Sequence, residues 1–191
     1  EQGAQGDLDL EHYHATGGMA EALSRHADEV YGEQPDDEHR RIAQKLFKSL
    51  TEKVDANRGI RRPMPLSELH EICGGEEAHL REVVDAFRRT GCTFLMPAGE
   101  REITLKSVID ISHESLMRVW RTLRNWVDEE AQSAKIYRRL ADTATLYKDS
   151  KAGLYRDPDL QIALSWREEN RPNKTWADRY YPGFEGAMAF L

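Results

Sequence analysis

The sequence predicts a mainly α-helical fold with a small β-hairpin, and three observations support this. Apolar residues recur at helical spacing in separate runs ahead of Gly91. Between Cys92 and Ile111 the pattern changes to strand-like alternation. From Glu114 the helical period returns and persists over a long span.

Residues 1–16 are polar, with Gly3 and Gly6, and read as an arm or linker. In the segment 17–35, Gly17-Gly18 opens the stripe Met19, Ala22, Leu23, Ala27 and Val30, which predicts an N-terminal helix near 18–32. Pro35-Asp36-Asp37 breaks it, and Asp37 is the expected N-cap of a helix over 38–53 bearing Ile42, Ala43, Leu46, Phe47 and Leu50. Residues 55–59 read as a loop. Pro63 and Pro65 then forbid helix through Arg61-Arg62-Pro63-Met64-Pro65. Leu66, Leu69 and Ile72 predict a short helix, with Ser67 near its start and Gly74-Gly75 at its end. Glu76 opens a third helix through Leu80, Val83, Val84, Ala86 and Phe87, stopped by Gly91.

Next, Cys92, Phe94 and Met96 alternate along one strand. Pro97-Ala98-Gly99-Glu100 turns the chain, Ile103 and Leu105 return it, and Val108, Ile109 and Ile111 form a third extended piece. Three helices followed by a β-hairpin is the order of a winged helix-turn-helix, here over 36–113. A long helical arm is expected over 114–150, as one helix or two in succession. Leu116, Val119, Trp120, Leu123, Trp126 and Val127 carry its first half, and Ile136, Tyr137, Leu140, Ala141, Ala144 and Tyr147 its second. The stripe weakens at Ala131–Ala134. Over 151–191, Asp157-Pro158-Asp159 begins a helix carrying Leu160, Ala163, Leu164 and Trp166. An aromatic-rich ending of short helices follows, expected to continue into another domain.

Composition and motifs exclude much. The 191 residues are 39% apolar and 32% charged, with formal net charge −7. That is enough apolar content for a core and too acidic for nonspecific nucleic-acid coating. No stretch approaches the roughly 20 apolar residues of a membrane helix, none resembles a signal peptide, and two cysteines fit a reducing compartment, so a cytoplasmic location is expected. The start at Glu1, without methionine, and the stop at Leu191 read as a piece of a longer protein. No G-x-x-x-x-G-K-S/T, G-x-G-x-x-G or G-x-S-x-G motif occurs, so no catalytic residue is expected and the chain reads as non-enzymatic. His12 with His14, and His70 with Cys73, lack the further ligands a metal site needs; no metal is expected. Glu129-Glu130 reads as a solvated face, while Trp120, Trp126 and Trp166 read as core or interface anchors.

A third helix of this kind can enter a DNA major groove. From Glu76 to Arg89, however, it carries Glu76, Glu77, Glu82 and Asp85 against Arg81, Arg88 and Arg89, with two glutamates at the end that would approach the bases. Such a helix lacks the cationic surface that neutralises phosphates. DNA binding by a winged-helix regulator is therefore the alternative rather than the main reading, and a protein–protein adaptor is another.

The most specific segment runs from Val108 through Ser112-His113-Glu114-Ser115-Leu116 to Trp120, continuing to Trp126 and Glu130. Together with Ala22–Tyr31 and Arg41–Phe47, it resembles the region after the nucleotide-binding domain of STAND-type signalling ATPases. The likeness is to the bacterial novel STAND group, often fused to WD-repeat or other sensor domains. It covers roughly residues 17–150 and, more weakly, the tail.

The resemblance implies a winged helix that folds back onto bound ADP. It also implies a histidine, from a Met-His-Asp motif, that contacts the β-phosphate. His113 matches that histidine by context and Glu114 stands for the acid, while Ser112 departs from the methionine. Further implications are an ATPase domain and a sensor or repeat domain in the same polypeptide, ADP or ATP with Mg in the parent protein, signal transduction, and an oligomer on activation. No membrane partner is expected.

Independently of the resemblance, a helix N-terminus favours phosphate, and a histidine there can donate a hydrogen bond to it. The same residue can instead cap the helix. Arg61 and Arg62 form a small basic spot, and Trp176, Tyr180, Tyr181 and Phe184 an aromatic one; both are candidates for interdomain contact. The expected role is a non-catalytic regulatory segment relaying nucleotide state.

Overall fold

Helix makes up 62% of the structure, with small antiparallel sheets. The computed structural model describes residues 18–54, 59–99 and 101–191. The predicted polar arm, most of the 55–59 loop and Glu100 lie outside the described residues. The elements are α1 Gly18–Gly32, α2 Asp37–Ser49, β1 Thr51–Lys53, β2 Gly59–Arg61, β3 Met64–Pro65, α3 Leu66–Cys73 and α4 Glu77–Arg88. They continue as β4 Leu95–Met96, β5 Val108–Ile111, α5 Leu116–Val119, α6 Arg121–Lys148, α7 Asp159–Asn170, α8 Lys174–Asp178 and α9 Phe184–Phe190.

The N-cap of α2 is Asp36 rather than Asp37, its carboxylate accepting the His39 N–H at 2.9 Å. The helix also stops sooner than its apolar stripe suggests. Thr51 to Lys53 leave it to pair with Gly59–Arg61, and the Thr51 hydroxyl donates to the Phe47 carbonyl at 2.9 Å. That bond satisfies one of the carbonyls a helix end leaves open. Gly74 and Gly75 have φ of +67° and +81°, a left-handed pair that ends α3 and turns the chain into α4. A Cβ at Gly75 would also meet the Glu38 carboxylate at 3.0 Å.

The three-stranded sheet has the order β3-β5-β4, all antiparallel, with Met64 opposite Ile109 and Leu95 opposite Ile111. Two expectations fail here. Ile103 and Leu105 form no strand, because both edges of β5 are already taken by β3 and β4. The 101–107 stretch instead closes a turn in which Thr104 and Ser107 bond to one another. Nor do Cys92, Phe94 and Met96 share one strand face. Phe94 follows a turn that returns its N–H to the Phe87 carbonyl, so only Leu95 and Met96 are extended, and Met96 is exposed.

At the centre of the core Phe47 of α2 is fully buried, with edge-to-face partners Phe87 and Trp120 at ring distances of 4.9 Å. Trp126 adds a third ring to Trp120 at 5.3 Å. The helical run after Glu114 is indeed divided, but at Trp120 rather than at Ala131–Ala134. Trp120 has extended backbone and a fully buried ring. Its indole N–H donates to Asp28 of α1 at 2.6 Å, and the Thr122 hydroxyl donates to the same oxygen at 2.7 Å. Asp28 thereby anchors the start of α6 to α1.

α6 spans 28 residues, about 42 Å at helical rise. It is not a free arm. α2 and β1 pack on it, and so do α7 and α9 from the C-terminal segment, which folds back along it. α8 bridges to α3, where the Asn173 amide donates to the Glu71 carbonyl at 2.7 Å.

His39 ties α2 to α4 from a buried position. Nδ1 lies 2.8 Å from Asp36 and Nε2 3.1 Å from Glu82, with the His79 ring at 4.6 Å and Glu38 beyond it. The bond from Asp36, aided by Glu82, raises the His39 pKa against its own burial, while His39 holds Asp36 down at about 2. The raised histidine stabilises fully below its ordinary 6.5 and less as pH rises through its folded value. The depressed carboxylate stabilises above its ordinary 3.8 and less as pH falls towards about 2.

Two stability measurements test this account. Phe47→Ala should cost about 3–5 kcal/mol in denaturant unfolding, as for large aromatic cavities; a loss under about 1 kcal/mol would contradict the central role of that ring. The stability lost in His39→Gln should be largest between pH 3.8 and 6.5 and shrink at alkaline pH. A pH-independent difference would remove the charged cluster from the account.

Candidate functional site

His113 follows the central strand β5 and is exposed. The Ser112 N–H donates to the Phe94 carbonyl at 2.9 Å, holding the strand end, and the His113 carbonyl accepts the Leu116 N–H at 3.0 Å. The long helix does not begin at Glu114, as the periodicity suggests. Glu114 and Ser115 form a turn, and α5 is a single turn of helix, so any macrodipole here is small.

The ring is held by Ser115. Nδ1 accepts the Ser115 N–H at 3.1 Å and lies 2.7 Å from the Ser115 hydroxyl. A neutral imidazole with Nδ1 accepting carries its proton on Nε2. Among the described residues Nε2 makes no hydrogen bond, so a ring N–H donor stands at the surface, oriented by its own backbone. Glu114 is exposed beside it and forms no ion pair among the described residues.

Arg61 is brought to the same strand end. Its Nη1 donates to Asp110 at 2.7 Å and to the Ile111 carbonyl at 2.9 Å, clamping β2 onto β5. Arg62 lies 3.8 Å from Glu52. Both arginines therefore hold internal partners.

The aromatic candidates lie elsewhere, in the C-terminal segment that packs against α6. Trp176 is buried, and its indole N–H donates to Glu130 at 2.7 Å, as does the Tyr180 hydroxyl. Burial, then the Glu130 charge, raises the Tyr180 pKa. The Tyr137 hydroxyl donates to the Tyr181 carbonyl at 2.8 Å, and Phe184 lies 6.4 Å from the Tyr137 ring. Burial pushes the Tyr137 phenol up to about 12. Glu130, expected on a solvated face, is buried because it accepts these two donors; Glu129 pairs with Lys48 at 2.9 Å.

The arginines of α4 and its end are engaged within the chain. Arg81 bonds Glu77 and the Ile103 carbonyl, buried Arg88 bonds Asp85 at 2.6 Å, and Arg89 bonds Glu33 at 2.9 Å. His70 and Cys73 do not converge: His70 lies 3.1 Å from the Gly75 carbonyl, while Cys73 faces the Ile42 carbonyl. Among the described residues no group of His, Cys, Asp or Glu could hold a metal ion, and no helix is long and apolar enough to cross a membrane. His12 and His14 lie outside the described residues.

One feature escaped the sequence reading. A cavity of about 450 Å³ opens between α2, α6 and the end of α7. Arg41, Lys45 and Lys48 supply its α2 wall. Their spacing puts them on one helix face, a signal visible in the sequence, but apart from Ile72 and Ser49 its other walls come from residues 130–176, far along the chain.

A family model described as Novel STAND NTPase 1 matches residues 1–153, which takes in the strand end, His113 and nearly all the elements above up to the end of α6. No curated protein and no solved structure matches the chain.

Proposed function

From the premise that this chain belongs to the novel STAND NTPase 1 family, we propose that it is a non-catalytic regulatory segment. In this reading it relays nucleotide state between an ATPase domain and a sensor or repeat domain of the same polypeptide. α2, α3 and α4 with the β3-β5-β4 sheet serve as a winged helix, β3 lying between the first two helices and the wing following the third. α6, braced by the C-terminal helices, carries the displacement away from it.

The observation that supports this reading best is the His113 ring, held by Ser115 with its Nε2 proton outward at the end of the central strand. That donor suits one phosphate oxygen. A charge-assisted bond to an ADP phosphate would favour the docked, resting arrangement over an open one. The residues here fit such a single contact and do not by themselves form a nucleotide site. The phosphate loop and Mg ligands would belong to the ATPase domain, and Glu114 would flank the contact. DNA binding draws less support, because the arginines of α4 and its end already have acidic partners within the chain. A cytoplasmic setting and an oligomer on activation go with the same proposal.

The test is ADP retention by the complete protein. His113→Ala should weaken it about 10-fold or more, the usual worth of a hydrogen bond to a charged group, and raise basal activity. ADP retention equal to wild type would sink the proposal.

A further inference from the structure

The cavity between α2, α6 and α7 gathers four cationic side chains in its lining. Its volume of about 450 Å³ lies within the range of small-molecule sites. Arg41, Lys45 and Lys48 point into it from successive turns of α2, and Arg171 joins them from the end of α7. Only Lys48 has a carboxylate partner, Glu129; among the described residues Arg41, Lys45 and Arg171 form no ion pair. Lys45 is half-buried, and burial lowers its pKa despite the charge of Glu130.

Cations extend behind this wall. Arg179 donates from Nη2 to the carbonyl of Ser49, which lines the cavity, at 2.8 Å, while its Nε and Nη1 are buried without partners. Lys45, Arg179 and Arg41 together act to lower the pKa of the buried Cys73 thiol, though burial dominates and pushes it up to about 12.

Three acids, Glu130, Glu168 and Glu169, share the lining with these cations. Glu130 has one carboxylate oxygen occupied by Trp176 and Tyr180. Glu168 and Glu169 are exposed, as are Arg41 and Arg171, so that Lys45 is the most deeply set of the three unpaired cations. Ser133 accepts the Trp166 indole N–H at 2.7 Å, which leaves its own hydroxyl proton free to donate. Ile72, Pro172 and Trp176 give the cavity an apolar side.

Arg171 adds an observation of another kind. Its backbone is left-handed, φ 45° and ψ 59°, at the end of α7, where glycine or asparagine would sit without strain. A long cationic side chain at that position lines the cavity.

We propose that this cavity binds a small phosphomonoester with a ring or other apolar body, its dianionic head held by Lys45, Arg41 and Arg171. Neither His113 nor Glu114 lines it, so the site is separate from the proposed nucleotide contact. Binding there would bridge α2 to the C-terminal helices packed along α6, giving the chain a ligand input of its own.

Phenyl phosphate is the probe, titrated into the chain by calorimetry at low salt, with phenol and benzoate as controls. Saturable binding with a Kd at or below about 1 mM is expected. Phenol should show none, and the monoanion benzoate should bind about 10-fold more weakly. Arg171→Gly removes the guanidinium at a position where glycine adopts the backbone freely, so thermal unfolding should be undiminished while affinity falls about 10-fold. Lys45→Met, which keeps the apolar stem, should do likewise, and His113→Ala should leave affinity unchanged. Absence of saturable binding, equal affinity in a folded Arg171→Gly or Lys45→Met variant, a loss of affinity in His113→Ala, or benzoate binding as tightly as phenyl phosphate would each overturn the assignment.

Discussion

The buried indole of Trp120 is the contact on which the rest of this structure depends. Its ring packs against both Phe47 of α2 and Phe87 of α4, and its N–H reaches across to Asp28 of α1. A polar atom taken into a core needs a partner, and here that need selects where the helix breaks. With extended backbone at Trp120, the ring can enter the core while Asp28 accepts both the indole and the Thr122 hydroxyl at the start of α6. The direction of α6 and the position of α5 below the His113 turn follow from that one residue.

Glu130 has a comparable role at the other side of α6. A carboxylate on a long helix would normally face water. It is covered here because the C-terminal segment brings the Trp176 indole and the Tyr180 hydroxyl to the same oxygen. These bonds dock α8 and its flank onto α6, and the Arg179 and Asn173 contacts extend the docking to α2 and α3. The helix that reads as an arm is thereby a brace between the sheet-bearing part and the chain's last helices. On the proposed reading, a displacement at the strand end that carries His113 would pass through packed elements rather than through a flexible connection.

Legibility in the sequence followed the range of the interactions. α1, α3 and α4 were readable because apolar spacing, the Gly74-Gly75 stop and Gly91 act within a few residues of where their effects are seen. His113 was readable as a candidate from the residues around it. Its actual geometry was not, because a ring whose Nδ1 accepts its own backbone N–H two residues on depends on a turn that replaced the expected helix start. The alternation through Ile103 and Leu105 misled for a different reason: it is compatible with a strand, but β5 had no free edge left to pair with it.

What the sequence alone determined is therefore the helical class, the small sheet and the family likeness. Each rests on local periodicity or on a contiguous motif. The tertiary structure decided the break at Trp120, the burial of Glu130, the folding back of the aromatic tail and the cavity between α2, α6 and α7. Each of these joins groups widely separated along the chain, and a one-dimensional pattern carries no record of which distant donor will meet which acceptor once water is excluded from between them.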